Sequence, residues 1–433
     1  MNNSLQRRRA PFRTECIQCH KQLTDGFYSF CPDCGAMSDV IYDLAAVELR
    51  DSPNPYHRFI DLLPVRDSAL LPHDARYTPT VHAERLGAKL GMSNLYLKNE
   101  TVLPTSTTKD RMAAISLAYL YECGVRQFAT SSTGNSSTAY AAAIARIPAL
   151  LMYVFTAASF RERLALPSSS QIADIVLNDG SFVDASAAAA NFARMHGIVP
   201  EAGFFNPGRR EGLKLAWLEA SEQVAAPIDW YVQAVSSAMG MYGVYKAASE
   251  LRKLGLAGGV PRLLGVQQDS CAPMVTAWSD RSGHIRPSDV VQRPAGIAPE
   301  ILRGDPTRAY PEVRRIVIES NGTLMTVCEA EIREARRWVG ELENIRVGFA
   351  AAAAVAGVAK ARRRGDIARD ETVLVNLTGG YRVGTPATEA TQWVDRMGSG
   401  WNLASVRAPQ RFDVKAAPLP PVAPLDRTRV LIK

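Results

Sequence analysis

The chain has 433 residues, 47% hydrophobic and 21% charged, so it is long enough for two or three domains and has the composition of an ordinary soluble globular protein. Its formal net charge of +7, from 50 Lys and Arg against 43 Asp and Glu, is too mild to establish a nucleic-acid partner and suits an anionic substrate or a phosphate cofactor equally well. No uninterrupted apolar run reaches transmembrane length, and Arg7-Arg8-Arg9 leads into no apolar segment, so neither a membrane span nor a secretory signal is expected. After a basic, polar start over residues 1–13 come Cys16-x2-Cys19 and, eleven residues on, Cys31-x2-Cys34. Each pair can offer two thiolates from one tight turn, and together they can surround zinc tetrahedrally; lone thiols and an iron–sulfur cluster are the alternatives. Four protein ligands leave no open position, so the metal is expected to be structural. The run Phe27-Tyr28-Ser29-Phe30 suits a small ribbon hairpin that needs its metal to fold. Grouped cysteines of this kind also fit a reducing, cytoplasmic compartment.

Residues 39–71 read as a connector broken by Pro53, Pro55 and Pro64. From residue 94 the pattern alternates. Strands are predicted over 94–98, 127–131, 150–155, 174–178, 229–235, 262–267, 314–319 and 372–377. Helices are predicted over 110–122, 136–146, 186–196, 208–223 and 240–254. Strands separated by helices imply an α/β architecture with parallel sheets. The expected division is a zinc-ribbon-like module at 1–38, a connector and the start of a large domain at 39–93, a small α/β domain at 94–205, a large one at 206–400 and a proline-rich tail at 401–433. Residues 281–312 are irregular and rich in proline and arginine, either a mobile cover over a cleft or a surface excursion.

Four junctions at predicted strand ends carry candidate chemistry. Pro104-Thr-Ser-Thr-Thr-Lys109-Asp-Arg111 places a lysine behind small hydroxylated residues, where its primary amine can form a Schiff base with an aldehyde cofactor. A surface lysine at a helix start is the plain alternative. Ala129-Thr-Ser-Ser132-Thr133-Gly-Asn135 runs from a strand into a helix. Ser236-Ser237-Ala238-Met239-Gly240 offers successive backbone N–H groups at a helix start, a nest suited to phosphate. Asn376-Leu-Thr378-Gly-Gly ends a late strand. A fifth stretch, Asn206-Pro-Gly-Arg209-Arg210-Glu-Gly-Leu-Lys214, groups basic residues that either line a cleft or lie on solvated surface.

These five stretches resemble motifs of threonine synthases and their relatives, in the tryptophan-synthase-like group of pyridoxal phosphate (PLP) enzymes. The family pattern Phe-Lys-Asp-Arg-Gly stands here as Thr108-Lys109-Asp110-Arg111-Met112, and the family's glycine-rich loop keeps only Gly240. Some relatives also carry an N-terminal cysteine ribbon. The resemblance spans about residues 77–385. It implies the fold type II architecture, two α/β domains with PLP in the cleft between them. It implies that Lys109 carries the cofactor and serves as base at the substrate's Cα. Asn135 would contact the cofactor's phenolic oxygen, Ser236–Gly240 its phosphate and Thr378 its pyridine nitrogen. Ser132 and Thr133 would grip the substrate carboxylate, and Arg209, Arg210 and Lys214 an anionic leaving group. Arg58-Phe-Ile-Asp-Leu-Leu-Pro64 and Val375–Gly380 are more like cysteate synthase. The expectation is therefore cysteate-synthase-like β-replacement or elimination on an O-phosphorylated or otherwise activated amino acid by an expected homodimer. Threonine synthesis from phosphohomoserine is the first alternative. A non-enzymatic interaction protein on a degenerate fold, using the ribbon as its contact surface, is an alternative of another class.

Overall fold

The computed structural model describes residues 12–409 apart from residue 399. The tail expected at 401–433 therefore lies largely outside the described residues. At the N-terminal end, β1 (Phe12–Cys16), β2 (Gln22–Leu23) and β3 (Ser38–Tyr42) form an antiparallel sheet in the order β2-β1-β3. The small hairpin expected around the cysteines is present. The expected boundary at residue 38 falls inside β3, whose Asp39 and Tyr42 are buried against the rest of the chain. Tyr42 Oη donates to Glu211 at 2.5 Å and Tyr242 Oη donates to Asp39 at 3.1 Å.

The strands that follow are β4 (Thr80–His82), β5 (Leu95–Asn99), β6 (Gln127–Ser131), β7 (Leu151–Ala157), β8 (Ile172–Leu177), β9 (Val199–Pro200), β10 (Trp230–Ala234), β11 (Arg262–Gln268), β12 (Thr323–Val327), β13 (Val373–Leu377) and β14 (Gln392–Val394). They build two sheets, β12-β11-β10-β13-β5-β4 and β14-β8-β7-β6-β9. The five-stranded sheet is parallel throughout. The six-stranded sheet is mixed, because β4 pairs antiparallel with β5; the all-parallel expectation is corrected there. β5 pairs with β13 and so belongs to the larger sheet, although the sequence reading grouped it with the small domain. Side chains of β7, β10 and β13 are buried along their whole length, as apolar strands covered on both faces require. The alanine-rich helix Phe349–Arg364 packs in the same core as β10, β11 and β13.

Two further corrections concern element type. Residues 314–319, predicted as a strand, lie in the helix Tyr310–Glu319. Val313, Ile316 and Val317 are buried and Ile318 is exposed, a helical face that prevails over the β-branched composition. The single helix predicted over 208–223 is two, Pro207–Leu213 and Leu215–Gln223.

Candidate active site

A cavity of about 620 Å³ opens between the two sheets. The loops that wall it leave the carboxyl ends of β5, β6, β10 and β13, where open parallel sheets place their ligands. Lys109 is the first residue of the helix Lys109–Glu122. Its preceding turn is tied to the loop after β13: Thr108 N–H donates to Thr378 O at 2.9 Å and Thr107 Oγ1 donates to the same oxygen at 3.1 Å. Asp110 closes the turn from the other side, accepting from Thr105 N at 2.7 Å and Thr105 Oγ1 at 2.7 Å. Burial pushes the Asp110 carboxyl up to about 6. Arg111 points into the core, where its guanidinium pairs with Glu100 at 2.5 Å and Glu219 at 2.5 Å. Lys98 shares Glu219 at 2.7 Å. The Lys109 side chain is left facing the cavity, its amine with no hydrogen-bond or carboxylate partner among the described residues. Burial, with the nearby Arg209 guanidinium adding to it, lowers its pKa from 10.5 to about 8.

The second junction runs from β6 through Ser132 and Thr133 to the helix Asn135–Ala143. Ser132, Thr133 and Asn135 all line the cavity. The Ser132 hydroxyl caps the helix, donating to Ser137 Oγ at 2.8 Å and accepting from Ser137 N at 3.0 Å. It therefore also shapes the loop from within. The third junction, Ser236–Gly240, follows β10 and starts the helix Met239–Lys253. Ala238 takes a left-handed conformation at φ +61, a cost of about 1–2 kcal/mol for a residue with a Cβ. Gly240 is required by close approach: a Cβ there would lie 2.5 Å from Gln233 Nε2. Gln233 is itself anchored, accepting from Tyr231 Oη at 2.6 Å. At the fourth junction Thr378 lines the cavity one turn from Lys109's own loop.

The fifth stretch divides. Arg209 reaches the cavity but is ion-paired with Glu201, and its Nε also meets Tyr140 Oη at 3.1 Å. Arg210 and Lys214 do not reach it, which corrects their assignment to substrate. Arg210 is fully buried and donates to Phe204 O at 2.6 Å and Asp39 Oδ1 at 3.2 Å. Lys214 is fully buried between Glu211 at 2.9 Å and Glu250 at 2.5 Å. The same stretch packs tightly on the lysine helix, since a Cβ on Gly212 would lie 2.5 Å from Arg111 O. Its basic residues hold helix Pro207–Leu213 in place.

The four cysteine sulfurs lie within 4.8 Å of one another, with Cys16–Cys34 at 3.4 Å and both Cys19–Cys31 and Cys19–Cys34 at 3.6 Å. Tetrahedral bonds of about 2.3 Å to a metal impose sulfur separations of about 3.8 Å, so the cluster can hold one ion. Sequence reasoning placed this module away from the chemistry. In the structure its residues 25–30 form part of the cavity wall. Phe30 packs against Phe205 with ring centroids 4.6 Å apart and the rings tilted, and Arg308 lies over the Phe30 ring at 4.1 Å. Residues 305–309 also line the cavity, so the second part of the irregular 281–312 stretch forms part of its wall. Glu201, Arg303 and Phe30 were missed because nothing in local sequence aims them at the site.

Residues 72–379 match the family described as pyridoxal-phosphate dependent enzyme. The chain belongs to that family. A threonine synthase from Methanosarcina acetivorans is 31% identical over 388 residues, covering 87% of this chain and 93% of the relative. A cysteate synthase from Methanospirillum hungatei JF-1 is 29% identical over 380 residues, covering 84% and 89%. Among solved structures, diaminopropionate ammonia lyase from Escherichia coli superposes with a TM-score of 0.58 at 15% identity over 72% of this chain and 89% of that one. Maize serine racemase gives 0.56 at 19% identity over 70% and 88%, which again supports the fold alone. The protein is thus a fold type II PLP enzyme of the lyase and transferase class. Its own residues fit the cofactor. Lys109 offers an unpartnered amine, the buried Thr108 Oγ1 beside it lacks a hydrogen-bond partner, and the helix start at Ser236–Gly240 offers backbone donors for a phosphate.

Proposed function

We propose that the enzyme expels an oxyanion from an O-phosphorylated amino acid, by β-replacement or elimination. The observation that carries the reading is the Lys109 amine, unpartnered in the cavity and with its pKa lowered to about 8. Lys109 would hold PLP covalently, the backbone of Ser236–Gly240 would hold its phosphate, and Asn135 and Thr378 would flank the ring. Bound there, PLP supplies an electron-withdrawing ring conjugated with the substrate's amine, which acidifies the Cα–H bond. The Lys109 amine, in its neutral form and within the cavity, would be the base that takes the substrate's Cα proton. Thr378, a neutral hydroxyl, would face the ring nitrogen without enforcing the proton that a carboxylate would. That tempers electron withdrawal and favours replacement and elimination over transamination. Donors of the Ser132–Asn135 loop orient the carboxylate. The walls at residues 305–309 and 25–30 restrict water. The phosphate departs with the electron pair of its C–O bond, and a nucleophile or water completes the reaction.

A second reading has its own support in the threonine synthase at 31% identity: a γ-leaving phosphate, which requires Lys109 to move a further proton at Cβ. For the cysteine module we infer that the ion is zinc, on the strength of four thiolate ligands and no open position. Supplying O-phospho-L-serine and O-phospho-L-homoserine singly, while following the cofactor spectrum and phosphate release, separates the two readings. Borohydride reduction followed by peptide mapping should place the cofactor mass on the Lys109 peptide and not on those of Lys98 or Lys214. Cofactor on another lysine, or full turnover in Lys109→Ala, refutes the proposal. A purified protein that takes up no PLP favours the interaction-protein alternative.

A further inference from the structure

With Arg210 and Lys214 committed to the core, the cation that meets the substrate's leaving group is to be sought among those lining the cavity, Arg209 and Arg303 included. Arg303 is half-buried, lines the cavity and sits on the irregular 281–312 stretch. Its Nε donates to Asp305 O at 3.2 Å. Its two terminal nitrogens have no protein partner among the described residues. The carboxylates around it are engaged or distant from the interior. Glu201 is held by Arg209, and Glu300 by Arg163. Asp305 Oδ1 accepts from Thr307 N at 3.0 Å and Thr307 Oγ1 at 2.6 Å. Asp25 is exposed at the rim. The Asp305 carboxylate offsets part of Arg303's charge without bonding its terminal nitrogens, which line the cavity without a protein partner among the described residues. Burial lowers its pKa, the Asp305 carboxylate opposes this, and the Arg209 guanidinium adds to the lowering, so a second cation is close to the same space. A guanidinium stays charged under such pressure, and the natural relief is an anion.

We propose that Arg303 holds the distal oxyanion of the substrate, the phosphate or sulfonate at the end of its side chain. This rests on the functional reading above. A planar fork with two open nitrogens matches two oxygens of a tetrahedral anion. Arg209 is fixed beside Glu201 through its Nε, whereas Arg303 has no carboxylate bonded to its guanidinium among the described residues. Arg209 lies nearer the lysine, where its charge is felt by both Lys109 and Arg303. The cofactor's own phosphate has a separate seat at the helix start after β10. Arg303 lies on the same stretch as residues 305–309, so an anion bound to it would also draw them onto the cavity.

The test titrates PLP-loaded protein with O-phospho-L-serine, L-cysteate and L-serine, reading dissociation constants from the cofactor spectrum. Arg303→Ala should weaken O-phospho-L-serine by about 10- to 100-fold and L-cysteate comparably, the range expected when a charged hydrogen-bonding partner is lost. L-Serine, which has no distal anion, should change by less than about threefold. Arg303→Lys keeps the charge without the fork and should fall between wild type and Arg303→Ala. Equal weakening of all three amino acids, or no weakening, overturns the assignment. Loss of the cofactor band in Arg303→Ala also overturns it, because that places the guanidinium on PLP. In each of those outcomes wild-type protein carrying cofactor on Lys109 leaves the functional reading standing. Wild-type protein with no cofactor on Lys109 refutes that reading and this assignment together.

Discussion

Lys109 should cost the cofactor-free protein stability at neutral pH, and Lys109→Met should recover it. In the fold the amine titrates near 8 against an ordinary 10.5. At about 1.4 kcal/mol per pH unit, that difference bounds the cost at ~3 kcal/mol, and water in the cavity screens it to about 1–3 kcal/mol. The sign follows from proton counts. Below pH 8 folded and unfolded chains both carry the proton, and the full cost is present. Between pH 8 and 10.5 the folded amine is neutral while the unfolded one is still charged, so wild-type stability rises with pH and the cost fades. Urea unfolding of both cofactor-free proteins at pH 7, 8, 9 and 10 reads this directly. Lys109→Met should be more stable by about 1–3 kcal/mol at pH 7, with the gap closing toward pH 10. A gap that does not change with pH, or a less stable Met variant at pH 7, refutes the reasoning. The same burial serves chemistry: at pH 7.5 about a quarter of such an amine is neutral, against about 0.1% at an unshifted pKa.

Gly240→Ala should weaken cofactor retention about tenfold or more, because its Cβ meets the anchored Gln233 at 2.5 Å and overpacking there costs about 1–3 kcal/mol; absorbance of the cofactor after gel filtration measures it, and unchanged retention would count against the nest. Cys31→Ser should lower zinc content by elemental analysis and, because residues 25–30 wall the cavity, raise KM before it lowers kcat. A zinc loss that leaves KM untouched would separate the module from the site. Arg210→Leu should destabilise the fold by about 1–3 kcal/mol, because Asp39 keeps Lys246 but loses its second cation and Phe204 O loses a buried donor, and any protein that remains folded should bind phosphorylated and unphosphorylated amino acids in an unchanged ratio. Selective loss of the phosphorylated one would return Arg210 to the substrate site.

The strands and the junction lysine were legible because they rest on local signals. A buried parallel strand such as Val-Leu-Val-Asn-Leu at 373–377 is apolar on both faces, and small residues after it announce a turn. What failed was decided at long range. Ile316-Val317-Ile318 reads as a strand by composition, and only the burial of Val313, Ile316 and Val317 on one side reveals a helix. The strand then begins after Asn321-Gly322, at Thr323. Arg210 finds Asp39, 171 residues earlier, and Lys214 finds Glu250 on another helix. No window of sequence holds both partners, so a cluster of cations looked like an anion site. Arg303 posed the converse problem, since an irregular stretch without periodicity gives no sign of which of its arginines faces inward.

The run Lys109-Asp110-Arg111 shows how three consecutive polar residues can have three destinations. Successive positions on a helix diverge by about 100°. Asp110 turns back to Thr105 and fixes the loop that enters the helix. Arg111 turns inward, where Glu100, Glu219, Thr78 and Lys98 form a buried network of two cations and two carboxylates. Such a network is costly to assemble and more costly to break, since removing one member strands a charge. That asymmetry makes it a rigid peg. It joins β5, the lysine helix and the helix Leu215–Gln223, and so fixes where the lysine helix begins. Lys109 alone is spared a partner. An ammonium paired with a carboxylate would be held charged and unreactive. An unpaired amine beside Arg209 is pushed toward the neutral form that both covalent attachment and proton removal need. The acidic and basic neighbours in the motif thus do positional work, and their value to the chemistry is that they leave the lysine free.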